Sequence, residues 1–352
     1  MIVTRDLGTV MQDTTMRSPV YINVKNAPFK LYGLGEEPYR RIPESVAMAC
    51  NDNVKRQYAM TPGVRVRFRT NSDYIVVHAD LVRNERTGLM AIAATSSFEM
   101  HFIENGKHVF KGVFVPSQGE GKDYVECRLK DTTEMKDVEL FFPICAAPES
   151  VYVGLREGSE LCEGGSYSHE TPVVFYGSSI VHGIGASRPG MNYPAQVCRM
   201  LDTDIRNLGF GGGALAEEVI MRYIAEQKMS AFVYDYDHNA PSIQHLEKTH
   251  YEGYRIFREK QPTTPVIMAS KPDFYFPATP ESLAANNRRR EIIRQTFERA
   301  KAQGDENVYF VDGARFYPEA FRSDCTSDGC HPNDYGYALM AQTFASILKD
   351  LI

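Results

Sequence analysis

Two short stretches hold side chains that could together carry out acyl transfer. The first is Val173-Val-Phe-Tyr-Gly-Ser-Ser-Ile-Val-His-Gly183. Its four apolar or aromatic residues read as a buried strand that stops at Gly177, where glycine permits a sharp turn. Such a turn presents the hydroxyls of Ser178 and Ser179 at the carboxyl end of the strand, where open α/β sheets place their sites. The second stretch is Ser327-Asp328-Gly-Cys-His331-Pro-Asn-Asp-Tyr-Gly336. Asp328 and His331, three residues apart in a Gly/Pro-punctuated loop, can bring a carboxylate to one imidazole nitrogen and leave the other facing outward as a base. A serine hydroxyl needs such a base, because unassisted it is a poor nucleophile at neutral pH. Each stretch alone has a plainer reading: a helix cap or turn for the serines, a turn cap and an ordinary histidine for the pair.

An acyl-transfer site also needs donors for the developing oxyanion. Gly209-Phe-Gly-Gly212-Gly offers bare backbone N–H groups, and Asn239, in Asp237-His238-Asn239-Ala-Pro241, offers a side-chain amide. Here too a tight turn and a cap before Pro241 would explain the residues equally well. Arg188, Asp237 and His238 lie in loops that could line the leaving-group side, and for each a structural role is an equal alternative.

The elements expected to position these residues fall into two halves. Residues 161–352 alternate strand and helix. Strands are predicted at Val173–Tyr176, Ile205–Gly209, Ala231–Tyr236, Pro265–Ala269 and Val308–Val311. Helices are predicted near Tyr193–Leu201, Ala214–Gln227, Ser242–Lys260, Glu281–Gln303 and Asp334–Leu351. That rhythm implies a parallel sheet with helices on both faces.

Residues 1–160 read instead as an antiparallel β-sandwich of jelly-roll type. Val64-Arg-Val-Arg-Phe-Arg69 alternates strictly, which predicts a half-buried strand with its three arginines on an exposed face. Further strands are expected at Tyr74–His78, Leu89–Ala94, Phe98–Ile103, Val109–Val115, Tyr124–Leu129, Val138–Phe142 and Val151–Leu155, with a tight hairpin at Glu104-Asn-Gly106. Glu157 to Glu170, rich in Gly, Ser and Glu, reads as a linker. The β-rich half shows no chemistry of its own: His78, His101 and His108 lack metal-ligand spacing.

Composition narrows the class of partner. A net charge of −6 argues against nucleic acid and anionic membranes, and the one short basic run, Arg288-Arg-Arg290, reads as a solvated helix face. The 7 cysteines show no CxxC or zinc-type spacing and are expected to be reduced. No GxGxxG or GxxxxGK[ST] suggests nucleotide binding. His238, His245 and His250 are spaced wrongly for a helix-borne metal site. Met1 to Ser18 lacks the apolar core of a signal peptide, and no run approaches a membrane span, so a cytoplasmic location is expected.

Taken together, Gly-x-Ser-Ile after the first strand, Gly after the second, Asn after the third and Asp-x-x-His before the last helix resemble the four blocks of the SGNH (GDSL-type) hydrolases. The resemblance implies a flavodoxin-like three-layer αβα domain. It also implies that Ser179 is the nucleophile, His331 the base and Asp328 its orienting partner, with the Ser179 N–H, Gly212 and Asn239 forming the oxyanion hole. No metal or organic cofactor is implied. Ser178 stands where the family has the aspartate of Gly-Asp-Ser, and Asp237-His238-Asn239 replaces its usual Gly-x-Asn-Asp. Together with Ser187-Arg-Pro-Gly190, Asn207-Leu-Gly-Phe210, Leu31-Tyr-Gly33 and Tyr39-Arg-Arg-Ile-Pro43, these departures are similar to a bacterial subgroup carrying an N-terminal β domain. Carbohydrate acetylesterases share that architecture. The implied function is a serine esterase acting on short acyl esters, acetyl on a sugar hydroxyl first among them. The alternatives are a lipid or thioester acylhydrolase and an inactive glycan-binding protein. The implied partner is a small-molecule or oligosaccharide ester.

Overall fold

Period-two alternation in the first half gives antiparallel strands, and continuous apolar runs in the second half give parallel ones. The computed structural model describes residues 19–35, 39–85, 87–116, 124–130 (backbone only), 132–272 and 279–352. The stretch read for a signal peptide, Met1 to Ser18, lies outside the described residues. The chain divides into two compact units. One comprises residues 1–41, 59–167 and 187–190; the other comprises 42–58, 168–186 and 191–352. The sequence reading cut the chain once, between 160 and 161; in the structure three short segments, 42–58, 161–167 and 187–190, belong to the unit on the other side of that cut.

The first unit contains β1 (Pro19–Asn23), β2 (Lys30–Tyr32), β3 (Arg65–Thr70), β4 (Tyr74–Asn84), β5 (Phe98–Glu104), β6 (Lys107–Phe114), β7 (Tyr124–Lys130), β8 (Lys136–Phe141), β9 (Ala146–Arg156) and β10 (Leu161–Glu163). They form two antiparallel sheets, ordered β1-β9-β4-β7 and β10-β3-β8-β5-β6, with β2 also pairing β3. Alternate residues of the two sheets, among them Val66, Phe68, Val138 and Leu140 on one side and Val77, Val153 and Leu155 on the other, share one core. The hairpin at Asn105-Gly106 has positive φ at both residues, 53° and 74°, as a type I′ turn requires.

Three expectations for this half are corrected. Leu89–Ala94 is not a strand; a short helix spans Ile92–Thr95, and the carbonyls of Ala94 and Thr95 accept the N–H groups of Ile144 and Cys145. A short unalternating apolar run fits either form, and tertiary packing chose the helix. The segment read as a linker contains β10, paired with β3 from Leu161↔Thr70 to Glu163↔Phe68, and a buried Tyr167.

The third correction concerns the arginine face of β3. Arg69 is exposed, but Arg65 and Arg67 are fully buried. Arg67 Nε lies 2.9 Å from Glu139 Oε1 on β8, its guanidinium stacks 3.5 Å from the Tyr167 ring centre, and Arg65 Nε donates to Tyr167 Oη at 2.8 Å. Tyr167 and His108 also meet Glu139, the latter at 2.9 Å. Period-two alternation separates two faces of a strand; it cannot say that residues 164–167 will return to cover the second.

The second unit holds a parallel sheet of β11 (His169–Gly177), β12 (Thr203–Gly209), β13 (Ala231–Asp235), β14 (Val266–Ala269) and β15 (Val308–Val311), ordered β12-β11-β13-β14-β15. Its principal helices are Tyr193–Leu201, Glu218–Ala225, Ile243–Lys260, Pro280–Ala302 and Asp334–Leu348, close to the predicted spans. This is the flavodoxin-like order, whose switch point lies at the carboxyl ends of β11 and β13. The residues of β13 and β14 are all buried, which explains their unbroken apolar runs. No helix among the described residues is long and apolar enough to cross a membrane.

Candidate active site

Ser179 owes its position to Gly177 and Ser178. A Cβ on Gly177 would stand 2.0 Å from the Asp235 carbonyl oxygen, so only glycine lets β11 pass β13 this closely at its end. Ser178 then caps the single turn Ser179–His182, its hydroxyl accepting the Ile180 N–H at 3.2 Å. Ser179 is the first residue of that turn, and its N–H makes no hydrogen bond among the described residues. His182 Nδ1 lies 3.1 Å from the Gly209 carbonyl, tying the turn to β12. From the last helix, Tyr337 Oη lies 3.0 Å and 2.8 Å from the Ile180 and Ile184 carbonyls.

The loop carrying His331 is closed by a bridge between Thr326 and Pro332 and by the Ser327 N–H donating to the His331 carbonyl. Asn333 ends it by capping the last helix, accepting the Tyr335 and Gly336 N–H groups. Within the loop Asp328 uses both oxygens. Oδ1 accepts the N–H groups of Cys330 (2.9 Å) and His331 (2.7 Å), and Oδ2 lies 2.8 Å from His331 Nδ1. His331 Nε2 lies 2.9 Å from Ser179 Oγ. Because the carboxylate only accepts, Nδ1 carries the proton and Nε2 accepts from the serine hydroxyl. Partial burial works against the Asp328 charge, but the bonds from the His331 backbone, its ring and the Cys330 N–H outweigh it and hold the carboxyl below its ordinary pKa.

Beside this relay lies the turn after β12, with Gly211 so close that a Cβ there would be 3.3 Å from Ser179 Cβ. The Phe210 carbonyl accepts Asn239 Nδ2 at 2.7 Å and also the Gly213 N–H at 2.9 Å. The Gly211 N–H goes to Gln57 Oε1 at 2.8 Å. Gly212, at φ +68°, has an N–H with no partner among the described residues. Three donors therefore have no partner among the described residues: the Ser179 N–H, the Gly212 N–H in the turn that Gly211 brings against Ser179, and the second hydrogen of Asn239 Nδ2, which is bonded to that same turn through Phe210. Such a set can stabilise negative charge on a reacting carbonyl oxygen.

The remaining sequence-selected residues make contacts of their own. Asp237 is buried; Oδ2 accepts the Lys271 N–H at 3.0 Å and Oδ1 lies 3.1 Å from Arg289 Nη1. Arg289 also donates to the Asp237 and Ala240 carbonyls, each at 2.8 Å, and Arg290 pairs with Asp312 at 2.9 Å. The basic run is therefore only partly a solvated face: Arg289 braces the turn that carries Asn239. His238 is held neutral, its pKa driven well below the ordinary value by burial and then by Lys271 and His331; its Nδ1 lies 4.0 Å from Cys330 Sγ. Arg188 belongs to the first unit, where it pairs with Glu99 and sits 4.1 Å over the Phe110 ring. His245 Nε2 faces the Leu215 carbonyl and His250 Nδ1 the Thr296 hydroxyl. Among the described residues no group of His, Cys, Asp or Glu is arranged to hold a metal ion.

Sequence reasoning missed His182, Tyr337, Arg289 and, above all, Asn51, Asn53 and Gln57. The last three come from the segment 42–58, and only folding brings them to the glycine turn.

Comparison with known proteins bears directly on this geometry. The model of the GDSL-like lipase/acylhydrolase family matches residues 170–349, and a model described as the N-terminus of SGNH-hydrolase-type esterases matches residues 20–161. Among solved structures, a GDSL-like lipase from Bacteroides ovatus ATCC 8483 is 25% identical with a TM-score of 0.86, covering 94% of this chain and 97% of that one. The salicylyl-acyltransferase SsfX3 of a tetracycline biosynthetic pathway is 20% identical with a TM-score of 0.75, covering 95% and 97%. A family two carbohydrate esterase from Clostridium thermocellum, in complex with cellohexaose, is 13% identical with a TM-score of 0.60, covering 92% and 98%. The last two likenesses are of fold. No curated protein matches. With its hydrolase model spanning half the chain and an esterase-type N-terminal model spanning most of the remainder, this chain belongs to the GDSL-like lipase/acylhydrolase family, the SGNH hydrolases.

Proposed function

We propose that the protein is a serine esterase that removes short acyl groups, acetyl first among them, from a carbohydrate hydroxyl. The observation that carries the reading is the unbroken line from Ser179 Oγ through His331 to Asp328, with hydrogen bonds of 2.9 and 2.8 Å. His331 Nε2 takes the Ser179 proton as Oγ attacks the ester carbonyl, and the carbonyl π electrons move onto oxygen. That oxyanion is received by the Ser179 and Gly212 N–H groups and Asn239 Nδ2. Collapse breaks the ester C–O bond and the leaving alkoxide takes the proton from His331. Water, deprotonated by the same imidazole, then attacks the acyl-serine. The carboxylic acid leaves and Oγ regains its proton. Asp328 holds the imidazole in the required tautomer and stabilises its charged form.

The sugar alcohol is supported by the fold shared with the family two carbohydrate esterases, and the short acyl group rests on the resemblance of the sequence to carbohydrate acetylesterases. The test is hydrolysis of p-nitrophenyl acetate, butyrate and octanoate by wild type and Ser179→Ala. Serine-dependent turnover that falls steeply with chain length is expected, followed by release of acetate from acetylated sugars. A preference for octanoate would overturn the short-acyl reading in favour of lipid hydrolysis. In the same assay Asp328→Asn should leave a remnant, with turnover down by about 10⁴-fold, since the imidazole would lose its fixed tautomer while the donors around the oxyanion stay intact. Wild-type turnover from Asp328→Asn would remove Asp328 from the relay.

A further inference from the structure

The turn Gly211-Gly212-Gly213 has no side chain of its own to fix it, and three consecutive glycines leave its peptide planes free to rotate. What holds it comes from another part of the chain. Residues 42–58 fold into the helices Glu44–Met48 and Asp52–Gln57 and belong to the hydrolase unit, with Ile42, Ala47, Cys50 and Val54 in its core beside Leu208, Phe210 and Ile220. From this anchored segment three amide side chains reach the turn. Asn51 Nδ2 donates to the Gly213 carbonyl at 2.8 Å, Asn53 Nδ2 to the Gly212 carbonyl at 3.1 Å, and Gln57 Nε2 to the Gly211 carbonyl at 2.7 Å. Gln57 Oε1 at the same time accepts the Gly211 N–H at 2.8 Å, and the Gln57 side chain is almost fully buried.

The Gly211 carbonyl and the Gly212 N–H are the two ends of one planar peptide group. Fixing the first fixes the direction of the second, and a hydrogen bond accepted by the carbonyl polarises the N–H opposite it. The N–H of Gly211 goes to Gln57 and that of Gly213 to Phe210, so among the described residues the grip leaves the Gly212 N–H as the one uncommitted donor of the three.

We propose that Gln57 is a positioning residue for the reaction, its carboxamide clamping the Gly211 peptide so that the Gly212 N–H points at the developing oxyanion. The inference rests on the serine-esterase reading. An Asn or Gln amide can serve as donor and acceptor at once, which is what the clamp requires. A carboxylate cannot, although a protonated carboxyl group can.

The test compares wild type, Gln57→Met, Gln57→Glu and Ser179→Ala on p-nitrophenyl acetate, with phenylboronic acid as a mimic of the tetrahedral state. Gln57→Met should lower kcat by about 10–100-fold, less than the 10²–10³ typical of losing an oxyanion donor outright, with KM within about twofold. Phenylboronic acid inhibition should weaken by the same factor. Gln57→Glu should be impaired at neutral pH, and its kcat per folded molecule relative to wild type should climb as the pH falls and the carboxyl protonates, with phenylboronic acid affinity recovering in step; a residue that merely supported the fold would change the folded fraction and leave kcat per folded molecule unaltered. If Gln57→Met does not fold, Gln57→Glu decides. A folded variant with wild-type kcat, a loss confined to KM, a loss of kcat with unchanged phenylboronic acid affinity, or a Gln57→Glu to wild-type ratio flat with pH would overturn the proposal. Serine-dependent turnover in wild type alongside any of these would leave the esterase reading standing. Wild type with no turnover beyond Ser179→Ala would overturn both.

Discussion

Replacing Ser179 or His331 by alanine is expected to reduce ester turnover by about 10⁴–10⁶-fold, because in the proposed mechanism the two act as one unit and losing either removes the activated nucleophile. The alanine enzymes should retain a small rate above water from the remaining oxyanion donors, and the double variant should be no worse than either single one. Ser178→Ala supplies the contrast. Its hydroxyl is buried and spent on the Ile180 N–H, so its loss should cost about 1 kcal/mol of cap energy and only modest turnover. Steady-state kinetics on p-nitrophenyl acetate, with stability measured on the same preparations, checks the set. Full activity in Ser179→Ala with loss in Ser178→Ala would mean the nucleophile is the wrong one of the pair.

The second large effect is on stability, in the β-sandwich. Glu139 is fully buried between Arg67, Tyr167 and His108. Burial alone would raise its pKa; the hydrogen bond from His108 and the charges of Arg67, His108 and Arg65 outweigh burial and hold it well below the ordinary carboxylate value. Removing that charge takes the carboxylate from the buried Arg67 guanidinium and the counter-charge from Arg65 nearby, so Glu139→Gln should destabilise by about 3–5 kcal/mol. The dependence on pH follows from the direction of the shift. A carboxyl whose folded pKa is depressed contributes stability that is present above its unfolded pKa and lost as pH falls through the folded one. The difference between wild type and Glu139→Gln should thus be full above the ordinary carboxylate range, narrow as pH falls through it and close only far below it. Denaturation of both proteins across that range measures it. A constant difference at all pH values would mean the cost is packing rather than charge.

How much of this was legible in the sequence depended on distance along the chain. Asp328 and His331 are three residues apart in a loop whose Gly and Pro shape it locally, and Ser179 sits at a strand end marked by Gly177. Local chemistry therefore announced the relay, and strand-helix rhythm announced the sheet beneath it. Arg65 and Arg67 were misread as exposed because their partners lie on β8 and in the segment that returns over β3. Arg289 was misread because its target, the Asp237–Ala240 turn, is remote in sequence. Asn51, Asn53 and Gln57 carried no reading at all, because what they build locally is only a short capped helix, in which Asn51 Oδ1 accepts the Asn53 and Val54 N–H groups. Nothing local tells an amide that caps its own helix from one that also steers a remote glycine.

The membership of residues 42–58 in the hydrolase unit bears on how such a protein can be dissected. The chain passes between its two units at 41/42, 58/59, 167/168, 186/187 and 190/191, so no single scission separates them. A fragment confined to residues 170–349, the span of the hydrolase family model, would carry the Ser179 line intact. It would nevertheless have a hole where Ala47 and Val54 fill the core, and a glycine turn with nothing to aim it. The amino-terminal half is therefore no detachable cassette in front of a self-sufficient hydrolase, and shuffling that treats it as one would separate a tool from part of its own handle.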